Sequence, residues 1–163
     1  LTSFPRVELL RLVAIAEDIR GTIRFADGSG QPRSPASQLR RLERVRREDI
    51  GIGGAIGARH HYPELDQVGE HRLDLSLHVR KGSPDLSFIE SLDPGLIRED
   101  DPAIPANVVI HLVRNANSFF VRRKEGLNWA DPVECLLDLH EARLEPQARE
   151  FLNALMRNRK GRV

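Results

Sequence analysis

The sequence predicts an α/β fold of the α+β kind, a mixed sheet flanked by helices, and three stretches carry that expectation. In residues 71–80, Leu73, Leu75, Leu77 and Val79 alternate with Asp74, Ser76 and His78, the period of a strand with one buried and one polar face. Residues 108–113 form a nearly continuous apolar run, which reads as a strand. Asp131-Pro132 opens a third stretch, in which Val133, Leu136, Leu137 and His140 recur at helical spacing.

The remaining elements follow in chain order. Pro5 opens a helix whose apolar positions are Leu9, Leu12, Val13 and Ala16, widened by Leu10 and Ile15, and Gly21 ends it. Residues 22–25 have the composition of a short strand, and Asp27-Gly28-Ser29-Gly30 is a turn. Ser34-Pro35 is a helix start, serine as cap and proline at the first helical position; Leu39, Leu42 and Val45 form the buried stripe. Residues 50–52 form a strand that runs into Gly53-Gly54, and a helix begins at Ala55. Ser83-Pro84 is expected to cap another helix, carrying Leu86 and Ile89. Pro94, Pro102 and Pro105 mark residues 92–105 as a long connection. Residues 119–121 are expected to pair with the strand at 108–113. Leu144 to Pro146 breaks the chain before a last helix with Ala148, Phe151, Leu152 and Leu155. Two segments result: an N-terminal helical segment over 1–49, for which a partial, degenerate winged helix is one reading, and a sheet-bearing domain over 50–163.

Composition excludes several classes. The 163 residues suit one domain with a real core, and 40% hydrophobic with 30% charged residues is ordinary for a folded chain. No apolar run reaches the roughly 20 residues that cross a bilayer. No secretion signal opens the chain, although it starts at Leu1 rather than Met, which leaves room for a preceding segment. The single cysteine, Cys135, suits a reducing compartment, so a cytoplasmic protein without a membrane partner is expected. Net charge is only +1, but residues 31–47 hold six arginines: Arg33, Arg40, Arg41, Arg44, Arg46 and Arg47. Helical spacing puts Arg40, Arg44 and Arg47 together. This is either a solvated face with intrahelical ion pairs or a nucleic-acid element, with Arg40, Arg41, Arg44 and Arg47 as the DNA-contacting set.

Other residue patterns have a chemical and a structural reading. Glycines at 53 and 54, between a strand and a helix, let backbone N–H groups approach a phosphate, yet such pairs also serve plain tight turns. His60 and His61 are helical neighbours that point apart and make no metal clamp. His78 and His111 could meet across paired strands with an Asp, but their spacing does not demand a metal, and none is expected. Cys135, early in a helix, is a low-pKa thiol or a buried inert one. Tyr62, Phe119, Phe120 and Trp129 are an interaction patch or core.

Two stretches carry a family resemblance. Residues 50–62, Ile-Gly-Ile-Gly-Gly-Ala-Ile-Gly-Ala-Arg-His-His-Tyr, continue to 70–79, Glu-His-Arg-Leu-Asp-Leu-Ser-Leu-His-Val, and resemble the glycine turn, helix and strand of the nucleotidyltransferase-like fold. Residues 126–139, Gly-Leu-Asn-Trp-Ala-Asp-Pro-Val-Glu-Cys-Leu-Leu-Asp-Leu, followed by Gln-Ala-Arg-Glu-Phe-Leu at 147–152, are similar to the C-terminal part of AbiEi-type antitoxins of type IV toxin–antitoxin systems. The resemblance spans roughly residues 50–157. It implies a regulatory antitoxin or transcriptional regulator that opposes a cognate nucleotidyltransferase toxin and binds operator DNA at its own promoter. Residues 1–49 depart from the family's winged helix.

Catalysis of the nucleotidyltransferase kind needs two or three carboxylates to hold magnesium against a triphosphate. Asp74 stands on the polar side of its strand, but Ser76 occupies the position of the second acid and the strand at 108–113 offers only His111. A lone Asp holds magnesium weakly. The expected protein is therefore non-catalytic and without a cofactor. The rival is a divergent magnesium-dependent nucleotidyltransferase that uses Asp74 with Gly53 and Gly54 at the nucleotide.

Overall fold

A computed structural model describes residues 6–66, 72–114, 120–122 and 126–160. In chain order the elements are α1 (Arg6–Ile19), β1 (Gly21–Asp27), α2 (Pro35–Val45), β2 (Ile50–Ile52), α3 (Gly54–His61), β3 (Leu73–His78), α4 (Ile89–Leu92), β4 (Leu96–Arg98), β5 (Val108–Val113), β6 (Val121–Arg122), β7 (Asn128–Trp129), α5 (Pro132–Glu141) and α6 (Glu145–Lys160). The strands form one seven-stranded sheet in the order β4-β1-β5-β3-β2-β7-β6. β3 runs parallel to β5 and β2 parallel to β7; the other pairs are antiparallel. The expected mixed α/β fold is thus present.

Local signals explain the helix ends. The Ser34 hydroxyl caps α2 by accepting from the Ser37 N–H at 3.3 Å, with Pro35 next to it. Asp131 caps α5, its carboxylate accepting from the Val133 and Glu134 N–H groups at 2.8 and 3.1 Å. α2 stops at Val45 because Arg46 takes the left-handed conformation, φ 50°.

Two hydrophobic layers lie on opposite sides of the sheet. On one, Leu73, Leu75, Leu77, Ile110 and Leu112 pack with Leu42 of α2 and with Ile89 and Leu92 of α4. On the other, α3, α5 and α6 share a layer with Ala55, Ala58, Cys135, Leu139 and Phe151. Each fully buried aliphatic side chain contributes roughly 1.5–3 kcal/mol, so these layers dominate the stability.

Several expectations are corrected. The boundary at 49/50 does not isolate an N-terminal segment: β1 is hydrogen-bonded between β4 and β5, with Ile23 opposite Ile110. A strand committed to the central sheet cannot serve as the wing of a winged helix, so that reading fails for the described residues. Ser83-Pro84 caps no helix; the chain turns there, and α4 starts only at Ile89. The connection over 92–105 contains β4. β5 does not pair with the segment near 120, because β1 and β3 already occupy both its edges; β6 pairs with β7 instead. The expected start at Pro5 and the Phe119 assignment fall outside the described residues. The polar face of β3 is also not at the surface. Asp74 and Ser76 are buried beneath the α3–α5 layer, which creates the site described next.

Candidate functional site

A cluster of charged side chains lies between the sheet and α5. Asp74 is 3% exposed, while His111 and Asp138 are wholly buried. β3 and β5 are parallel with Ser76 opposite His111, so Asp74 and His111 project to the same side one step apart. His111 Nε2 donates to Asp74 Oδ1 at 2.9 Å and lies 3.4 Å from Asp138 Oδ1; its Nδ1 is 3.4 Å from Glu141 Oε2. Arg72 Nε donates to both Asp74 oxygens at 3.1 and 3.2 Å. Arg20, from the α1–β1 junction, pairs with Asp138 and reaches Glu134 at 3.4 Å and Glu141 at 4.0 Å. Four carboxylates therefore face three cationic side chains.

Burial sets the protonation states. Desolvation by itself lowers the His111 pKa, but the Asp138 charge and the hydrogen-bonding carboxylates of Asp74 and Glu141 outweigh it and raise the value to about 10. His111 is accordingly an imidazolium at neutral pH. Burial pushes Glu141 up, but the hydrogen bond and charge of His111, with Arg20 and Arg72 behind it, pull it down to about 2. Glu134 is raised, mainly by burial. Such a network is stable only while every member keeps its partners, because removing one strands a charge in a medium of low dielectric.

The glycine turn belongs to this cluster. Gly54 has φ +59°, and a Cβ there would lie 2.6 Å from Asp74 Oδ2; a Cβ on Gly53 would collide with the Asp138 carboxylate. The Gly54 N–H donates to Asp138 Oδ2 at 2.8 Å. The N-terminus of α3 thus already holds an anion, the chain's own Asp138. Of the two readings of Gly53-Gly54, the geometry serves the close approach of two side-chain carboxylates.

Magnesium fits this donor set poorly. The Asp74 oxygens accept from Arg72 and His111, and the Asp138 oxygens from Arg20 and the Gly54 amide. Lone pairs directed at hydrogen-bond donors are not available to a hard cation, and the three positive side chains around them repel it. Among the described residues no group of three or more His, Cys, Asp or Glu side chains is placed to hold a metal ion.

The arginines form a different site from the expected one. Arg40 and Arg44 are exposed on α2, but Arg47 lies beyond the helix end and does not join them. Its Nε and NH2 donate to Asp49 at 2.8 and 2.6 Å, its NH1 is 3.1 Å from Asp85 Oδ2, and its guanidinium lies 5.0 Å from the Phe88 ring centre. Arg41, Arg44 and Arg47, rather than Arg40, line a cavity of about 400 Å³ between α2 and the 85–91 segment.

The other singled-out residues have structural partners. His61 Nε2 is 2.8 Å from the Ala130 carbonyl, and His60 stacks on the buried Trp129 with ring centres 4.1 Å apart. His78 does not meet His111; it stacks on Phe120 at 4.0 Å. Cys135 is fully buried and its thiol pKa is pushed well up by burial, the inert reading rather than the activated one. Sequence reasoning missed Arg20, Arg72, Glu134, Asp138 and Glu141. A signal existed: acids at 134, 138 and 141 recur at helical spacing within a helix that is apolar but for these and His140. Comparison with protein-family models, curated proteins and solved structures returns no match for this chain.

Proposed function

We propose that this chain is a non-catalytic regulatory antitoxin of the AbiEi type, which opposes a cognate nucleotidyltransferase toxin in the cytoplasm. The observation that carries the non-catalytic part is the Asp138 carboxylate on the Gly54 amide. It fills the position at the glycine turn where a phosphate would bind, and its negative charge repels one. Asp74, the remaining candidate for catalysis, is neutralised by Arg72 and His111. The resemblance of residues 126–152 to the C-terminal part of such antitoxins supports the family part.

A partner face supports the same reading. Leu12, Ile15 and Ile19 are 41%, 57% and 74% exposed and recur at i, i+3 and i+7 along α1, the spacing by which an amphipathic helix docks into a groove. No described helix is long and apolar enough to cross a membrane. Promoter DNA, the second partner of this reading, would meet Arg40 and Arg44 on the exposed side of α2.

Identification of a nucleotidyltransferase encoded beside it, and co-expression with that enzyme, test the proposal. Growth should be rescued by the wild type and not by Ile15→Glu, which changes an exposed residue and leaves the fold intact. Failure of the wild type to neutralise that enzyme would sink the antitoxin reading. The rival is a magnesium-dependent nucleotidyltransferase that uses Asp74. Calorimetry with magnesium and nucleoside triphosphates decides it: saturable binding abolished by Asp74→Asn, in a variant that still folds, would establish the enzyme instead. A promoter-binding assay with Arg40→Gln/Arg44→Gln tests the DNA half, since phosphate contacts make specific binding fall steeply with salt.

A further inference from the structure

We propose that the cavity between α2 and the 85–91 segment binds a small phosphorylated ligand, whose phosphate or diphosphate group is held by Arg41, Arg44 and Arg47. The volume, about 400 Å³, lies in the range of small-molecule sites. Arg41, Arg44 and Arg47 line it, and of the three Arg47 already faces carboxylates, Asp49 at 2.6 Å and Asp85 at 3.1 Å. Arg47 is held in place: Asp49 takes two of its N–H groups, the Asp85 carbonyl takes another at 2.9 Å, and the Phe88 ring lies beside it. A fixed guanidinium loses little entropy when an anion arrives.

Arg41 and Arg44 differ. They stand one helical turn apart on the same wall, and among the described residues neither has a carboxylate partner. Like charges at that spacing destabilise a helix, and an anion between them reverses the sign. The Ser91 side chain, also in the lining, adds a hydroxyl donor, while the Ser87 hydroxyl is bonded to Asp85. Two unpaired cations and a hydroxyl suit a phosphate monoester, which carries close to two negative charges and three strong acceptor oxygens.

The shape separates this ligand from duplex DNA. A duplex presents a convex row of phosphates and is met by cations spread along a surface. Here the cations converge on one hollow, and Arg40, exposed on the same helix, is not part of it. The site does not rest on the antitoxin reading; it adds a small-molecule input to a protein of either function.

Titration calorimetry of the full chain with inorganic pyrophosphate tests the proposal. The wild type should show one-site saturable binding that weakens with added salt. Arg41→Gln/Arg44→Gln should bind about tenfold more weakly or worse, the scale of losing charge-assisted hydrogen bonds. Arg40→Gln should bind as the wild type does, and circular dichroism of both variants should match it, since the three positions are not core. Absence of saturable binding to the wild type overturns the proposal. So does an equal loss in Arg40→Gln, which would mean diffuse charge attraction. Displacement of pyrophosphate by duplex DNA, with Arg40 contributing, would assign the arginines to a nucleic-acid face and leave the antitoxin proposal standing.

Discussion

The backbone amide of Gly54 donates to the carboxylate of Asp138, 84 positions later in the chain, at 2.8 Å. That bond joins the start of α3 to the middle of α5, and it brings the carboxylate within reach of Arg20 and His111. One buried acid therefore satisfies a helix N-terminus and two cations. The turn and the charge cluster form a single unit.

Asp138 should accordingly be among the most sensitive polar positions. Asp138→Ala leaves Arg20, the His111 imidazolium and the Gly54 N–H short of an acceptor in a buried setting. Breaking such a network by removal of one member costs about 3–5 kcal/mol. Urea unfolding should report a fall of that order in the midpoint-derived stability. A loss below about 1 kcal/mol, the value of an exposed pair, would show that the cluster is solvated.

Gly54→Ala should be worse than the same change at another left-handed glycine. Gly54 and Gly82 have φ +59° and +76°, so both pay backbone strain of about 1–3 kcal/mol when given a side chain. Only at Gly54 does the new methyl meet other atoms, Asp74 Cβ at 2.7 Å among them; at Gly82 it meets nothing within 4 Å. Overpacking adds roughly 1–3 kcal/mol. Thermal melts of the two variants should differ by that increment, and equal melting points would contradict the packing of Asp74 against the turn.

The cluster predicts a pH profile with two limbs. The folded pKa of His111, about 10, lies above its ordinary 6.5. Its contribution is therefore complete below pH 6.5 and is lost as pH climbs toward 10. The folded pKa of Glu141, about 2, lies below its ordinary 4.5, so its contribution is complete above pH 4.5 and is lost as pH falls toward 2. Both are fully present between pH 4.5 and 6.5. Denaturant midpoints measured from about pH 2 to about pH 10 should trace the two limbs on either side of this window. Nitrogen-15 shifts of the His111 ring should remain those of an imidazolium at pH 8, and a neutral imidazole there would refute the assignment.

Cys135 should ignore alkylating reagents in the native protein. It is fully buried, 2.8 Å from where a Gly57 Cβ would stand, and its thiol pKa is raised well above the ordinary value. Iodoacetamide at pH 8 should label it only in denaturant. Rapid labelling of the folded chain would mean that α3 and α5 separate readily.

Much of the local structure was legible. Ser34-Pro35 and Asp131-Pro132 marked two helix starts because a cap acts within one turn and needs no distant partner. The alternation through Leu73, Leu75 and Leu77 marked β3, and the nearly continuous apolar run marked β5. Ser83-Pro84 carried the same signal as the other two and made no helix, since a local preference of about a kilocalorie per mole yields to tertiary packing.

What the sequence determined by itself is periodicity and charge: which residues alternate, which recur every turn, and that β3 offers only Asp74 where a second acid would be needed. Only the tertiary structure decided which side of β3 was covered and what lay over it. Once α5 packs there, Asp138, Glu134 and Glu141 join Asp74, and Arg20 and Arg72 join His111. The physical reason is range. Hydrophobic periodicity acts between neighbours in the chain, whereas a buried charge is tolerable only beside an opposite charge, and here that partner comes from residues distant in sequence.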